Sequence, residues 1–469
     1  MTGAPGDTPA PTPARTGHGA PTPAPAPTGH GAPTPAPHTA EDGAPGPAPA
    51  DGVASAPAGG GVSASAGGGV SAPAGSARVA TRAERTLTLA QLANSVGDGA
   101  YLVTSALYFS HVVGLSAAQI GFGLTLGWAV GAFAGVPLGH LADRRGPRGV
   151  AVLLAVVTAT AVGSFVFVRS FGMFVVVACL YGAAQTGLSA ARQALLAALV
   201  EPARRTRVRA ALQSTLNGGL AAGAGLGGLA LHVGTREAYL TVFAVDVAGF
   251  LLAGLVLLRL PALTPAPVAK GPRLAVLRDR PYALVTLINT VLLCYMPLLS
   301  VVVPLWITLR TPAPAWLVSV LFLVNTAGVL AFQVRVARRV RGLADAARSV
   351  RRAGALMLLA CVVFALSAAG VPAWLAGAVI VAAVVPQVLA EMLLAAGSWE
   401  ISFGLAPEGR QGQYQGFFGS GTAVARALGP ALLTTVIIGW GAAGWLVVGV
   451  VFMAAGAAMA PAVRWARPT

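Results

Sequence analysis

From Leu87 to Ala462 the chain alternates long apolar runs with short polar turns. The runs are about twenty residues long, the length a bilayer core asks of a helix. The pattern predicts twelve spanning helices. Six fall at 87–112, 118–138, 149–168, 171–200, 208–232 and 238–258, and six more at 282–309, 314–336, 353–370, 372–398, 412–439 and 441–462. A polar, proline-rich bridge divides the two sets. The expected organisation is therefore an all-α polytopic membrane protein. Residues 84–260 form one six-helix bundle, 261–281 a linker and 282–469 a second bundle.

Residues 1–83 are of a different kind. TGHGAPTPAP occurs at 16–25 and again at 28–37, and GGGVSA begins at Gly59 and at Gly67. Such a segment has too little apolar surface to offset its ordering entropy, so a disordered cytoplasmic tail is expected, dispensable for folding and transport. It has no apolar core of the signal-peptide kind. His18 and His30 read as solvated tail residues rather than metal ligands.

Composition sharpens this picture. Only 10% of the 469 residues are charged, against roughly a quarter in soluble domains. The formal charge of +16 does not point to nucleic acid, because the arginines sit in short turns between apolar runs. One set of turns carries Arg144, Arg145, Arg148, Arg204, Arg205, Arg207, Arg209, Arg273, Arg278, Arg280, Arg338, Arg339, Arg341, Arg348, Arg351 and Arg352. The opposite set carries only Arg169, Arg236 and Arg310. By the positive-inside rule both termini face the cytoplasm and the protein is a multi-pass protein of the cell membrane. Cys179, Cys294 and Cys361 all fall inside apolar runs and form no metal or disulfide pattern. There is no phosphate-cradling Gly-x-x-x-x-Gly-Lys-[Ser/Thr] loop. No nucleophile or metal cluster accompanies His140 and Asp143, which leaves a membrane enzyme as a remote alternative. No cofactor is expected. The expected partners are a small-molecule substrate, protons and the bilayer, with the chain acting as a monomer.

One turn is too specific for a generic basic loop. GHLADRRGPRG, residues 139–149, spaces Gly139, Asp143, Arg144, Gly146 and Arg148 with Leu141 and Ala142. Its glycines permit a tight turn and close helix approach. Asp143 is suited to the positive end of another helix, and the arginines to lipid phosphates or carboxylates. The order resembles the loop 2–3 signature of the major facilitator superfamily. That resemblance implies two six-helix bundles rocking about a midplane site, with this loop as a conformational latch. The corresponding stretch of the second half, ARRVRGLADAARSVRR, keeps Asp345 but not the glycine spacing. In the fifth span GAGLGG, residues 223–228, resembles the Gly-Pro-x-x-Gly-Gly element of the drug:proton antiporters, with Ala224 in place of proline. Gly219, Gly223, Gly227 and Gly228 also read as helix-packing glycines. ALGPAL, residues 427–432, is expected to kink the eleventh span at Gly429 and Pro430.

Ionisable residues at membrane depth are costly and are usually paired or functional. Asp98 belongs to a stripe of Asn94, Asp98, Tyr101, Ser105 and Tyr108 at helical spacing. Glu391 follows Gln387 by one turn, and Asp246 lies in the sixth span. All three carboxyls are candidates for proton coupling; equally, each can serve as a buried, hydrogen-bonded packing group. Arg426 is a candidate partner for Glu391, and Arg192 reads as a tether to Asp143 or Glu201. Gln185, Asn217, Asn289 and Asn325 join the stripe as cavity candidates, with Trp306, Trp399 and Tyr414. Few charges are expected in the cavity. The resulting expectation is proton-coupled efflux of small amphipathic organic molecules, with proton symport of a nutrient as the alternative.

Overall fold

The computed structural model describes residues 74–263 and 274–467. The remainder of the expected tail and the middle of the linker lie outside the described residues. Among the described residues the regular structure is entirely helical. The first half contains α1 (Ala74–His111), α2 (Ala117–Arg145), α3 (Pro147–Ser164), α4 (Phe171–Leu199), α5 (Pro202–Val233) and α6 (Arg236–Leu257). The second contains α7 (Arg280–Leu293), α8 (Val303–Arg310), α9 (Leu317–Ala337), α10 (Gly342–Leu366), α11 (Ala373–Leu405), α12 (Gln411–Trp440) and α13 (Ala442–Ala466). With α7 and α8 forming one broken crossing, these helices make the twelve-span, two-bundle fold.

Helix ends follow local chemistry. Ser116 and Gln119 form a reciprocal capping box at the start of α2. Asp279 accepts the N–H of Tyr282 at 3.0 Å and caps α7. Between α2 and α3 the connection is a single residue, Gly146, at φ 92°, a left-handed value that disfavours side chains. Pro147 then starts α3, where its missing N–H costs nothing. The basic turn expected at 139–149 is thus mostly helix, which makes Asp143 a helical residue held rigidly at the end of α2. The helix α1 likewise starts at Ala74, inside the segment assigned by composition to the tail.

Each half has its own hydrophobic core. Phe165, Phe174, Phe243 and Phe250 are buried in the first, and Trp306, Phe364, Trp445 and Phe452 in the second. Ten crossings are long and apolar enough to span a membrane on their own account; α1 and α5 are not among them. These two pack against each other through Gly219, Gly223 and Gly227 on α5. A Cβ at Gly223 would fall on the Val96 carbonyl, and one at Gly227 would come within 2.9 Å of the Ala100 carbonyl. Gly228 faces open space and takes no part in this contact. The polarity that weakens α1 and α5 as membrane spans is the polarity of the site they build.

The seventh crossing departs from a continuous span. After Leu293 the chain turns, then makes a π-helical segment at Leu298–Val302 before α8. Pro297 supplies no N–H and disrupts the ladder there. By contrast α12 runs through Pro430 without interruption, and Gly429 lies over Pro297.

Candidate functional site

The two halves approach each other most closely at the arginine-rich end, along α2 and α12. Gly139 faces Gly412 and Gly135 faces Gly416, so tightly that a Cβ at Gly139 or Gly416 would collide with the opposing carbonyl. One turn further on, Asp143 accepts the N–H of Gly412 at 2.6 Å and of Gln413 at 2.9 Å. These are orphan donors in the first turn of α12, at the positive end of its dipole. Arg148 donates to the Leu258 carbonyl at 2.6 Å, just past the end of α6. Its partner is therefore a helix C-terminus rather than a carboxylate. Arg144 and Arg145 are exposed.

A second contact between halves lies at the same end. Glu400 of α11 accepts from the Thr206 hydroxyl of α5, and from the Gly342 N–H at 3.0 Å. Asp345, by contrast, binds the N–H of Arg341 and the side chain of Arg348 on its own helix. The carboxylate spanning the halves here is Glu400, which sequence spacing did not single out.

Deeper in the first half, the α1 stripe becomes a polar cluster. Asn94 donates to Asp98, Gln185 of α4 donates to the other Asp98 oxygen at 3.4 Å, and also to the Tyr181 hydroxyl at 3.1 Å. Arg192 donates to Asn94 at 3.0 Å and is close enough to Asp98 to interact electrostatically. Arg192 is thus tied to the Asn94–Asp98 pair, not to Asp143 or Glu201. Arg426 lies with its guanidinium 5.0 Å from the centre of the Trp128 ring of α2. It too interacts with Asp98 across the halves. Its electrostatic partners are Asp98 and Tyr181 rather than Glu391. Arg426 keeps accessible surface although it lies midway along α12, as expected of a residue lining an opening between the bundles.

Asp246 of α6 approaches the same cluster from behind. It is 0% exposed, neither oxygen has a hydrogen-bond partner, and it rests against Gly97, where a Cβ would strike it at 2.5 Å. Tyr101 packs among Phe165, Tyr181 and Phe243, and its buried hydroxyl has no hydrogen-bond partner among the described residues. Tyr108 is fully buried in the same aromatic cluster. The upper part of the stripe is therefore core packing, and its polar part is Asn94 and Asp98.

The second half has a separate centre. Glu391 accepts from Asn325 of α9 at 2.9 Å and from the Tyr295 hydroxyl, which lies in the break of the seventh crossing. All its partners are neutral. Gln387 is buried with its carbonyl oxygen unpaired. Asn289 accepts from Ser398 at 2.6 Å and joins α7 to α11. Asn217 accepts from Gln213 at 3.2 Å on the same face of α5. Trp306 is a core residue, donating to Ser367 at 2.9 Å. Tyr414 donates to Asp279 at 2.8 Å near the arginine-rich end. Trp399 carries Arg209 of α5 over its ring at 5.3 Å. Arg209 and Arg426 each lie over an aromatic ring of the opposite half, and Arg192 reaches Asn94 from α4. Among the described residues no cluster of His, Cys, Asp or Glu suited to a metal is present.

The family model described as Major Facilitator Superfamily matches residues 87–430. No curated protein matches the sequence. Among solved structures, the human organic anion transporter MFSD10 (TETRAN) is 18% identical, covers 84% of this chain and 100% of its own, and has a TM-score of 0.58. A bacterial homologue of the iron transporter ferroportin, in an outward-facing state, is 15% identical, with 82% and 99% covered and a TM-score of 0.65. The proton:xylose symporter XylE is 12% identical, with 82% and 96% covered and a TM-score of 0.64. At these identities the likeness is one of fold.

Proposed function

This chain belongs to the major facilitator superfamily, and on that premise we propose that it is a proton-coupled carrier of small amphipathic organic molecules, working by alternating access. The observation that carries this reading is Asp98. It sits in the first bundle yet interacts with an arginine from each half, Arg192 and Arg426. Rocking of the bundles changes the distance between Asp98 and Arg426, and with it the carboxylate's hold on a proton. Glu391, with neutral partners only, is the second proton carrier: an unpaired carboxylate is costly to shield from water. The arginine-rich end is the cytoplasmic one in this reading. The contacts of Asp143 and Glu400 then close the cytoplasmic side, and the cavity faces outward.

Two modes of coupling follow from one cluster. In export by proton exchange, the mode that the fifth-span glycines imply, substrate and proton compete for Asp98. In symport, substrate draws an arginine away from Asp98, and the carboxylate then takes up a proton. Flux into proteoliposomes of both orientations, under imposed pH gradients of either sign, separates them. Export predicts that substrate and protons move in opposite directions, symport in the same direction. Flux indifferent to the gradient overturns both.

A further inference from the structure

The cavity wall holds more positive than negative charge. Arg209 lies beside Arg192, close enough for the two guanidinium groups to repel. Among the described residues Arg209 has no carboxylate partner; its contact is the face of Trp399. Arg192 spends one nitrogen on Asn94, while its Nε is buried without an acceptor. Asp98 is the carboxylate that Arg192 and Arg426 face, and both its oxygens already accept, from Asn94 and from Gln185. Asp246 is sealed behind α1, fully buried and close enough to Asp98 for the two carboxyls to interact. The partners of Glu391 are Asn325 and Tyr295. Arg192 and Arg426 thus share the Asp98 carboxylate, and among the described residues Arg209 has no carboxylate of its own. The unpaired charge of Arg209 beside that of Arg192 is costly within the span until an anion compensates it.

We propose that this cavity takes a small organic anion, its oxyanion group held by Arg192 and Arg209 and its flat apolar body lying between the halves. The fork geometry of guanidinium suits carboxylate and related oxyanions. Aromatic rings lie under both Arg209 and Arg426. Trp399 comes from the second half and Trp128 from the first, so a planar ligand can share both the rings and the cations that stack on them. The inference rests on the reading of this cavity as a transport site, and it selects between the two coupling modes. An anion competes with Asp98 for its arginines and leaves the carboxyl to a proton. Anion and proton then bind together, which is symport.

Binding to the purified full chain tests this without any gradient. Fluorescein and rhodamine 123 share a xanthene core but carry opposite charge, and each is titrated by fluorescence anisotropy. Naphthalene-2-carboxylate and 2-naphthylmethylamine serve as competitors. The expected result is saturable fluorescein binding, displaced by the carboxylate and not by the amine. Arg209→Gln is expected to weaken fluorescein by about tenfold or more, the loss of one charge-assisted contact, and Arg209→Lys to weaken it less. Should Arg209→Gln fail to fold, the charge-matched pairs on the unaltered chain still decide. Rhodamine 123 binding as tightly as fluorescein overturns the proposal, as does unchanged fluorescein affinity in a folded Arg209→Gln protein, or no anion binding at all. Arginine-dependent binding of fluorescein without gradient-driven flux instead overturns the proton-coupled reading and leaves the anion site standing.

Discussion

Asp143→Asn removes one charge from the contact that closes the arginine-rich end while keeping the side chain's size. The carboxylate accepts two N–H groups of α12 at 2.6 and 2.9 Å. Asparagine offers one oxygen, and its amide nitrogen then confronts the second N–H. One charge-assisted hydrogen bond is lost and the other becomes a neutral one. Hydrogen bonds to charged groups contribute about 1.5–3 kcal/mol and neutral ones about 0.5–1.5 kcal/mol. The attraction to the helix dipole, about 0.3–1 kcal/mol, is part of the same loss. These losses come to about 3 kcal/mol; asparagine no longer carries the cost of burying a charge, and a net weakening of about 2 kcal/mol changes the closed-to-open ratio at this end roughly thirtyfold. The assay is electron–electron double resonance on a cysteine-free background, with spin labels at the exposed positions Arg145 and Glu408. The distance distribution is expected to shift toward the separated state in Asp143→Asn and to stay put in Arg144→Gln, whose parent side chain is exposed. An unchanged distribution in Asp143→Asn refutes the latch.

Three further outcomes are expected. Gly139→Ala places a methyl group on the Gly412 carbonyl; it should open the arginine-rich end more than Asp143→Asn, read by the same label pair, and normal closure would contradict the steric argument. Asp98→Asn mimics the protonated carboxyl, so gradient-driven flux should stop while exchange between equal substrate pools persists; loss of both would point to a structural role. Glu391→Gln keeps the hydrogen bond to Asn325 within reach, so the protein should fold normally and transport with an altered proton dependence; an unaltered pH profile of flux would remove Glu391 from coupling.

The order of helices was legible because most crossings are long apolar runs, many of them bounded by Gly, Pro or a capping residue. The close contact of α2 with α12 was legible for a similar reason: Gly139 and Asp143 lie within a few residues of one another. Asp98 and Asn94 announced themselves by spacing on one helix. The partners of that pair did not, because Arg192 and Arg426 reach it from helices far along the chain, and helical periodicity carries no information about which face meets which. The same holds for Arg209 and Trp399. Tyr295 was hidden by the assumption that the seventh span is continuous, although Pro297 beside it was the available signal. Gly228 belongs to the run that invited comparison with antiporters, but the packing face repeats every four residues and passes through Gly219, Gly223 and Gly227 instead. Glu400 was passed over because it sits at the end of an apolar run, where a lone carboxylate looks solvated. Its role depends on Thr206, nearly two hundred residues earlier.

The central claim is that movement of substrate and of protons is one event at Asp98. Proteoliposomes holding the full chain, with the pH dye pyranine inside, test it directly. A substrate gradient of fluorescein is imposed at equal pH, and luminal pH is followed. The account predicts acidification of the lumen as fluorescein enters, abolished by Asp98→Asn while fluorescein exchange continues. Entry of fluorescein with no change in luminal pH, or an unchanged proton signal in Asp98→Asn, contradicts it.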